Sequence, residues 1–325
     1  MAGKRWSSAL WTLALGTAGL AAANAYLAAV APPLVPCVRV ETKRHLWKGF
    51  RVAWWEAGPA EAPAVLLLHG HGLFASAFDL HHLFEALRAR YHVYLVDLIG
   101  YGLSARPPLD YTAEMYEDLI AEFASDVIGS PAHVVAQGLS AAHVTVIAAR
   151  GRLDCRSVTL INPAGIGSCD TPPDERQRWA GRILRAPIVG QALFNGLTSK
   201  AVIRQALRHE LFAHPGLVTD ALVDRLYATA HQPGARYAPA AYLSGTLNRN
   251  VRQAFAALTV PVTLIWGRAA RQAPVTLAQS FLALNDQARL SVIDDAGDLP
   301  ALEQPMTTAE EVKATLTQLE DEATS

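Results

Sequence analysis

The chain has 325 residues, of which 51% are apolar, so it is long enough for one large domain with an extensive core. Its 28 lysines and arginines nearly balance its 29 aspartates and glutamates, and the formal charge of -1 gives no basic surface for nucleic acid. Three cysteines without C-x-x-C spacing indicate neither a disulfide framework nor a zinc site.

The N-terminal segment is the most apolar part of the chain. Residues 9–31 form an almost unbroken apolar run behind Lys4 and Arg5, and about 20 such residues span a bilayer as a helix. A cleaved signal peptide is the alternative, because residues 23–25 offer a small-x-small cleavage site. We favour an uncleaved, single-pass membrane anchor, since the run continues past that site. The side of the membrane stays open, because basic residues flank both ends.

After this segment, the pattern indicates a sheet protein. Prolines at 32, 33 and 36 end the helix, and strand-like stretches at 38–42 and 50–55 predict an antiparallel hairpin. Continuous hydrophobic runs then alternate with amphipathic helices, which is typical of a parallel sheet with helical crossovers. The predicted strands are 65–68, 93–96, 134–135, 158–161, 262–266 and 290–293, and the predicted helices are 80–90, 113–128, 139–149, 275–284 and 307–319.

One long segment interrupts the alternation. Residues 165–255 are rich in predicted helix, and we interpret them as a helical cap inserted into the sheet domain. The predicted organisation has four parts. They are the membrane anchor and linker over 1–36, the first part of the α/β core over 37–164, the cap over 165–255 and the second part of the core over 256–325.

Five motifs follow the predicted strands in one order. H-G-H-G at 69–72 follows the first parallel strand, D-L-I-G-Y-G-L-S-A-R-P at 97–107 follows the next, and A-Q-G-L-S at 136–140 forms a strand-turn-helix corner. P-V-T-L-I-W-G at 261–267 and G-D-L-P at 297–300 complete the series. In these motifs the chain resembles the α/β-hydrolase family over nearly its whole length after the linker. The resemblance implies an α/β-hydrolase fold, a mostly parallel twisted sheet flanked by helices.

The resemblance also implies three catalytic positions, and this chain departs from the family at each. The serine of G-x-S-x-G falls on Gly138, the acid on Ala270 and the histidine on Asp298. Acyl transfer needs a hydroxyl nucleophile, an imidazole base and a carboxylate that orients the imidazole. We therefore predict that the standard hydrolytic route is closed. With an ordinary pKa of about 4, Asp298 would be a weak base.

Two residues just after the corner could carry relocated chemistry. Ser140 and His143 are three residues apart, which places them on one face of a helix. The alternative, which we favour, is a small packing residue and a surface or core histidine, because no third partner is evident. Asp97 could also act as a base, but we expect it to accept backbone hydrogen bonds in its own glycine-rich loop.

Other polar residues near the motifs are weaker candidates. Asn162 stands where some relatives carry an alternative acid, and we expect it to bind loop backbone. Four histidines lie between residues 69 and 82, but no carboxylate joins them at helical spacing, so we predict neither a metal site nor a cofactor. Arg268 and Arg271 could bind an anionic group, although such a pair is more often a solvated loop.

The resemblance leaves a binding apparatus in place. It implies that the backbone amides of Leu139 and His71, the latter next to Gly70, form an oxyanion-type pocket under an apolar cap. We predict a membrane-anchored, non-catalytic pseudo-hydrolase that serves as a binding or scaffold protein for a hydrophobic ligand or a membrane partner. The partner hypothesis rests on small residues of the anchor, Gly16 and Gly19 among them. The alternative function is an esterase- or lipase-like hydrolase that acts on a small hydrophobic ester with relocated groups.

Overall fold

The centre of the molecule is an eight-stranded, mostly parallel sheet. The computed structural model describes the backbone of residues 2–324 and the side chains of residues 16–322. The strands are β1 (Lys43–Trp47), β2 (Phe50–Ala57), β3 (Ala64–Leu68), β4 (His92–Val96), β5 (Ala132–Gln137), β6 (Cys155–Ile161), β7 (Val262–Gly267) and β8 (Arg289–Ile293). Their order is β1-β2-β4-β3-β5-β6-β7-β8. β2 pairs antiparallel with β1 and β4, and all other neighbours are parallel.

Helices flank the sheet and also fill the long segment between β6 and β7. The N-terminal helix is α1 (Ala2–Val30), and those beside the sheet are α2 (His81–Leu87), α3 (Ala113–Phe123), α4 (Leu139–Ala149), α11 (Ala278–Leu282), α12 (Pro300–Glu303) and α13 (Pro305–Thr324). The helices between β6 and β7 are α5 (Glu175–Arg185), α6 (Val189–Leu197), α7 (Lys200–Ala206), α8 (Asp220–Ala230), α9 (Tyr237–Leu243) and α10 (Arg252–Ala256). We refer to α5–α10 with their connections as the cap.

The central strands are hydrophobic on both faces because helices cover both faces. Along β3, Val65 and Leu67 pack into one core cluster, while Leu66 and Leu68 pack into the other. All five residues of β3 and all six of β5 are buried. Such burial explains why these strands read as continuous apolar runs rather than as alternating ones. The prediction of a mostly parallel α/β sheet is confirmed.

The N-terminal hairpin lies later in the chain than its pattern predicts. β1 begins at Lys43, whereas the predicted strand covered 38–42. A two-residue turn at Lys48 and Gly49, both with positive φ, fixes the register so that Trp47 pairs with Phe50. Since β1 is a partly exposed edge strand with polar residues, it lacks the apolar run that sequence patterns detect.

The predicted membrane anchor is wrong. Among the described residues, no helix combines the length and the apolar character that a bilayer crossing requires. The fold class is therefore corrected to an α/β-hydrolase fold without a transmembrane helix, and the predicted single-pass membrane location is corrected with it. The side chains of residues 9–15, which belong to the predicted span, lie outside the described part.

One face of the described part of α1 packs against the cap. Asn24 Nδ2 donates to the Ile188 carbonyl at 2.9 Å, and Asn195 Nδ2 donates to Asn24 Oδ1 at 3.1 Å. The connection that follows is also bound to the cap, because Gln232 Nε2 donates to the Pro32 carbonyl at 3.0 Å. Arg225 Nη1 donates to the Val35 carbonyl at 2.6 Å. The described part of α1 therefore contacts the cap along one face, while most of its side chains, Leu20 and Tyr26 among them, stay exposed.

Candidate functional site

The corner after β5 has the sharp strand-turn-helix shape that its sequence predicts. Gly138 stands between β5 and α4 with φ 58° and ψ −123°, a conformation that side chains rarely adopt. Its amide donates to the Ile161 carbonyl at 2.9 Å, and its carbonyl accepts from Ala164 N at 3.1 Å. A Cβ at this position would have Gly70 Cα, at 3.9 Å, as its nearest neighbour. The tip of the corner therefore has open space above it.

A cavity of about 350 Å³ lies above this corner. The loop after β3, the corner itself, and the segments after β6 and β8 form its core side, and α7 to α9 with their connections form its cap side. Its apolar lining residues include Leu73, Phe74, Leu139, Leu211, Leu243 and Leu299. Because its surface is mostly apolar and polar side chains are set among the apolar ones, the cavity has the character of a small-molecule site.

The structure brings the predicted oxyanion-type groups together. Gly70, His71 and Leu139 all line the cavity. Within the described residues, neither the His71 amide nor the Leu139 amide donates to a backbone or side-chain acceptor. Leu139 N is also the first amide of α4, where the helix leaves its N–H groups unpaired. That a ligand oxygen binds here stays a prediction.

Asp298 is held by backbone amides of a neighbouring loop. Its Oδ2 accepts from Arg271 N at 2.9 Å, and its Oδ1 accepts from Gln272 N at 3.1 Å and from Ala273 N at 3.3 Å. The side chain lines the cavity, yet the residue is only 8% exposed. Burial raises the pKa of Asp298, although the three amides oppose that shift. The expectation of an ordinary pKa is therefore corrected.

Ala270 lies in that same loop, after β7. It is buried, and its amide donates to the Gly267 carbonyl at 3.1 Å. Unlike Gly138 and Asp298, it is not part of the cavity lining. Asn162 fixes the loop from below, because its Nδ2 donates to the Gly297 carbonyl at 3.0 Å and its Oδ1 accepts from Gly267 N at 2.9 Å. Asn162 thus binds loop backbone.

The structure does not join Ser140 and His143 as a pair. Ser140 Oγ donates to the His69 carbonyl at 2.6 Å, and His71 Nδ1 lies 3.3 Å from the same oxygen. His143 Nε2 donates to the Leu247 carbonyl at 3.1 Å. Both residues are fully buried, and neither lines the cavity. Burial lowers the pKa of His143 to about 4, so its imidazole is neutral at pH 7.

The remaining sequence candidates bind backbone or surface groups. Asp97 accepts from Ala77 N at 2.7 Å and from Leu103 N at 2.6 Å, which matches the expected loop role. Arg268 pairs with Asp294 at the surface, and Arg271 Nη1 donates to the Phe212 carbonyl at 3.1 Å. His69 and His81 each contact a backbone carbonyl through Nδ1 at 2.6 Å.

The cavity residues that the sequence analysis missed include Asp79 and Gln137. Asp79 is buried beside Asp97, and burial, with a smaller contribution from that neighbouring carboxylate, raises its pKa to about 8. Gln137, the last residue of β5, is 4% exposed, and its Oε1 has no hydrogen-bond partner within the described residues. Only their positions could have indicated them: Gln137 precedes Gly138, and Asp79 follows Ser76 at helix-capping spacing.

The strand order and the sharp corner after β5 are those of the α/β-hydrolase fold, and the sequence agrees. Residues 65–311 match the profile of the Alpha/beta hydrolase family. This match covers well over half of the chain, so the chain belongs to the α/β hydrolase family.

Solved structures share the fold at low sequence identity. One is a membrane phospholipase A, described as a bacterial virulence factor, with 21% identity and a TM-score of 0.69 over 98% of this chain and 99% of that chain. Another is a serine hydrolase involved in carbazole degradation, with 18% identity and a TM-score of 0.69 over 86% of this chain and 99% of that one. A thermophilic esterase from Thermogutta terrifontis has 20% identity and a TM-score of 0.66 over 86% and 99%. Identities this low show the fold alone.

A curated relative is similar over a short stretch. The magnesium-chelatase 30 kDa subunit of Rhodobacter capsulatus is 44% identical over 55 residues, which is 16% of this chain and 19% of that protein. The matched stretch therefore spans about a fifth of the relative's length.

Proposed function

We propose that this protein is a non-catalytic member of the family that binds a small, largely apolar molecule in the capped cavity. One observation carries the proposal: Gly138 occupies the tip of the corner that faces the cavity, so no nucleophilic side chain projects there. The corner keeps its strained backbone and the space above it. A ligand in that space meets no nucleophile at the corner, and the cavity residues that carry a hydroxyl or thiol near it, Ser168 and Cys169, belong to the segment after β6.

The surroundings of Gly138 support the same function. Asp298, at the position where the resemblance implies the family's histidine, directs its carboxylate at three loop amides, so that position supplies no imidazole base. Ser140, the relocated nucleophile considered above, donates its proton to a backbone carbonyl and lies outside the cavity lining. The apolar lining favours an apolar ligand body.

An enzymatic assay tests the absence of chemistry. The protein is expected to give no turnover of p-nitrophenyl acetate, butyrate or octanoate above a heat-unfolded control. Ser140→Ala is expected to behave identically. Turnover by the wild type that disappears in Ser140→Ala would instead support the alternative function, an esterase-like hydrolase with relocated groups.

A binding assay tests the cavity. A neutral apolar fluorophore such as N-phenyl-1-naphthylamine is expected to bind the wild type. It should bind roughly tenfold more weakly to Ala206→Trp, because this cap residue lines the cavity and a large ring would fill it. Equal binding to the two proteins would locate the fluorophore elsewhere and contradict the proposed site.

Restoring the serine alone is expected to be insufficient. Gly138→Ser should fold, since the added side chain has room, but it should lose about 1–2 kcal/mol because φ at this position is +58°. It should remain inactive on the same esters, because position 298, where the resemblance implies the family's imidazole base, is an aspartate. Chemical unfolding and the ester assay measure the two effects. Clear turnover by this variant would show that a base is already in place.

A second candidate function follows from the short match at 44% identity. The matched relative is a subunit of a magnesium chelatase, and this chain could likewise be a subunit of such an assembly. The test is co-purification of the tagged full chain with magnesium-chelatase subunits expressed in the same cell. Separate elution of the proteins at physiological salt would argue against this candidate.

A further inference from the structure

The outer side of α6 is apolar although it is exposed. Val189, Leu193 and Leu197 recur every four residues, so they share one face of the helix, and all three are exposed. The opposite face, which includes Gly190 and Phe194, is buried in the cap. A surface helix of a globular protein ordinarily presents polar residues to water. Packing within the protein therefore accounts for only one of the two apolar faces of α6.

The two helices beside α6 extend this exposed apolar surface. α1 and α5 both pack against α6. Trp179 of α5 is 61% exposed, and Ile183 lies one turn further along the same face. Residues 16–30 of α1 contain no charged side chain, and Tyr26 among them is exposed. We call the exposed side chains of these three helices the outer apolar face. It includes Tyr26, Trp179, Ile183, Val189, Leu193 and Leu197.

Exposed apolar side chains are concentrated on this part of the molecule. Outside the cap and residues 16–35, the large exposed apolar residues of the described chain are Leu46 and Met306. Single exposed apolar residues are ordinary on a protein surface. A group of them on neighbouring helices marks a surface that contacts a partner.

The charged residues beside the outer apolar face are mostly arginines. α5 carries one acidic residue, Glu175, after an acidic N-cap, and it carries four arginines, at positions 176, 178, 182 and 185. Arg185 pairs with Asp110, whereas the other three have no carboxylate within ion-pair distance in the described part of the chain. Arg182 lies over the Trp179 ring, 5.1 Å from its centroid. The outer apolar face is therefore bordered by cations that lack an anionic partner.

This combination of apolar side chains and unpaired arginines matches the chemistry of a lipid surface. The acyl chains of a bilayer accept apolar side chains, and the phosphates of anionic lipids attract guanidinium groups. The boundary between the two suits Trp179, because its ring is apolar and its N–H is polar. It also suits arginine, whose apolar stem can lie at a greater depth than its charged end.

We infer that the outer apolar face binds the surface of a bilayer that contains anionic lipids. α1, α5 and α6 lie in the plane of this surface, with their exposed apolar side chains among the upper acyl chains and the arginines of α5 at the phosphates. The arrangement requires no helix that crosses the bilayer. It is also independent of the ligand proposed for the cavity, because none of the six named residues of the face lines the cavity.

Vesicle flotation of the full chain tests this inference. The wild type is expected to bind vesicles of phosphatidylglycerol and phosphatidylcholine in equal parts, and to bind vesicles of phosphatidylcholine alone at least about tenfold more weakly. Arg176→Gln should lose about fivefold in affinity for the anionic vesicles. Leu193→Gln should lose about fivefold for both kinds, because a polar side chain replaces an inserted leucine. Leu46→Gln is the matched control, since it changes an exposed leucine of β1 and should bind as the wild type does.

Fluorescence quenching locates the contact on the protein. Brominated phosphatidylcholine in the anionic vesicles is expected to quench the wild type more strongly than Trp179→Phe, because only the wild type places the Trp179 indole at the acyl boundary. Equal quenching of the two proteins would show that α5 does not contact the lipid.

Other results would contradict the inference in defined ways. Equal losses in Leu193→Gln and Leu46→Gln would mean that the vesicles bind elsewhere, and equal binding with and without phosphatidylglycerol would exclude a role for the arginines. If neither kind of vesicle binds, the lipid surface is wrong. Dimers in analytical ultracentrifugation that Leu193→Gln dissociates would then assign the face to a second copy of the chain. Val189→Gln repeats each comparison should Leu193→Gln not fold.

Discussion

The Asp298→Ala variant is expected to lose about 3–5 kcal/mol of unfolding free energy. The alanine would leave the amides of Arg271, Gln272 and Ala273 without their shared acceptor in a buried loop. Hydrogen bonds to a charged group are the stronger kind, and unsatisfied buried donors add a desolvation cost. Urea unfolding followed by circular dichroism at pH 7 measures the difference.

Asp294→Ala is the matched control for that variant. Asp294 lies nearby, and its 73% exposed side chain pairs with Arg268 at the surface. Its removal should change stability by about 0.5 kcal/mol or less. Equal losses in both variants would mean that the loop amides find other acceptors, and the structural role of Asp298 would then be wrong.

The Asp79→Asn variant is expected to be more stable than the wild type at neutral pH. The unfolded Asp79 carboxyl loses its proton near pH 4, whereas the pKa of the folded group is raised to about 8 by burial, with a smaller contribution from Asp97. Between these values the folded state holds a proton that the unfolded state has released. The wild type therefore loses stability as pH rises, by at most about 1.4 kcal/mol per pH unit.

Asparagine imitates the uncharged, protonated acid at this buried position. The variant is expected to match the wild type near pH 4 and to exceed it by roughly 2–4 kcal/mol at pH 7. Urea unfolding at pH 5, 6, 7 and 8 gives the series, with the exposed Asp286→Asn as the control for a lost surface charge. A stability difference that stays constant over this range would contradict a raised pKa.

The sheet could be predicted because each buried strand has a local signal. Runs such as 65–68 and 262–266 are too apolar for a surface strand and too short for a helix. β1 lacks that signal, since its polar residues suit an edge. Its place follows from the positive φ of Lys48 and Gly49, which only the folded turn reveals.

The sequence predicted the backbone turn and the amide donors of the candidate site. It did not predict which buried polar side chains line the cavity. Gly138, His71 and Leu139 stand in motifs whose spacing implies a turn and amide donors. Asp79 lies outside the five motifs, and Gln137 is a position of the A-Q-G-L-S motif at which the family pattern specifies no residue. Their importance comes from burial and missing partners, which depend on contacts between distant segments.

The failed anchor has a related cause. An uncharged run such as residues 9–31 does not itself indicate whether it contacts lipid or other parts of the protein. Asn24 was the informative residue, because its amide needs partners, and α6 supplies them.

That attachment has a mechanical consequence for access to the cavity. Four hydrogen bonds join residues 24–35 to the cap, which covers the cavity. Their donors are Asn24, Asn195, Arg225 and Gln232. The cap is therefore not free to move independently of residues 24–35. A displacement of the cap would either carry that stretch along or first break those bonds, so we expect the rate at which the proposed ligand enters to depend on residues far from the cavity.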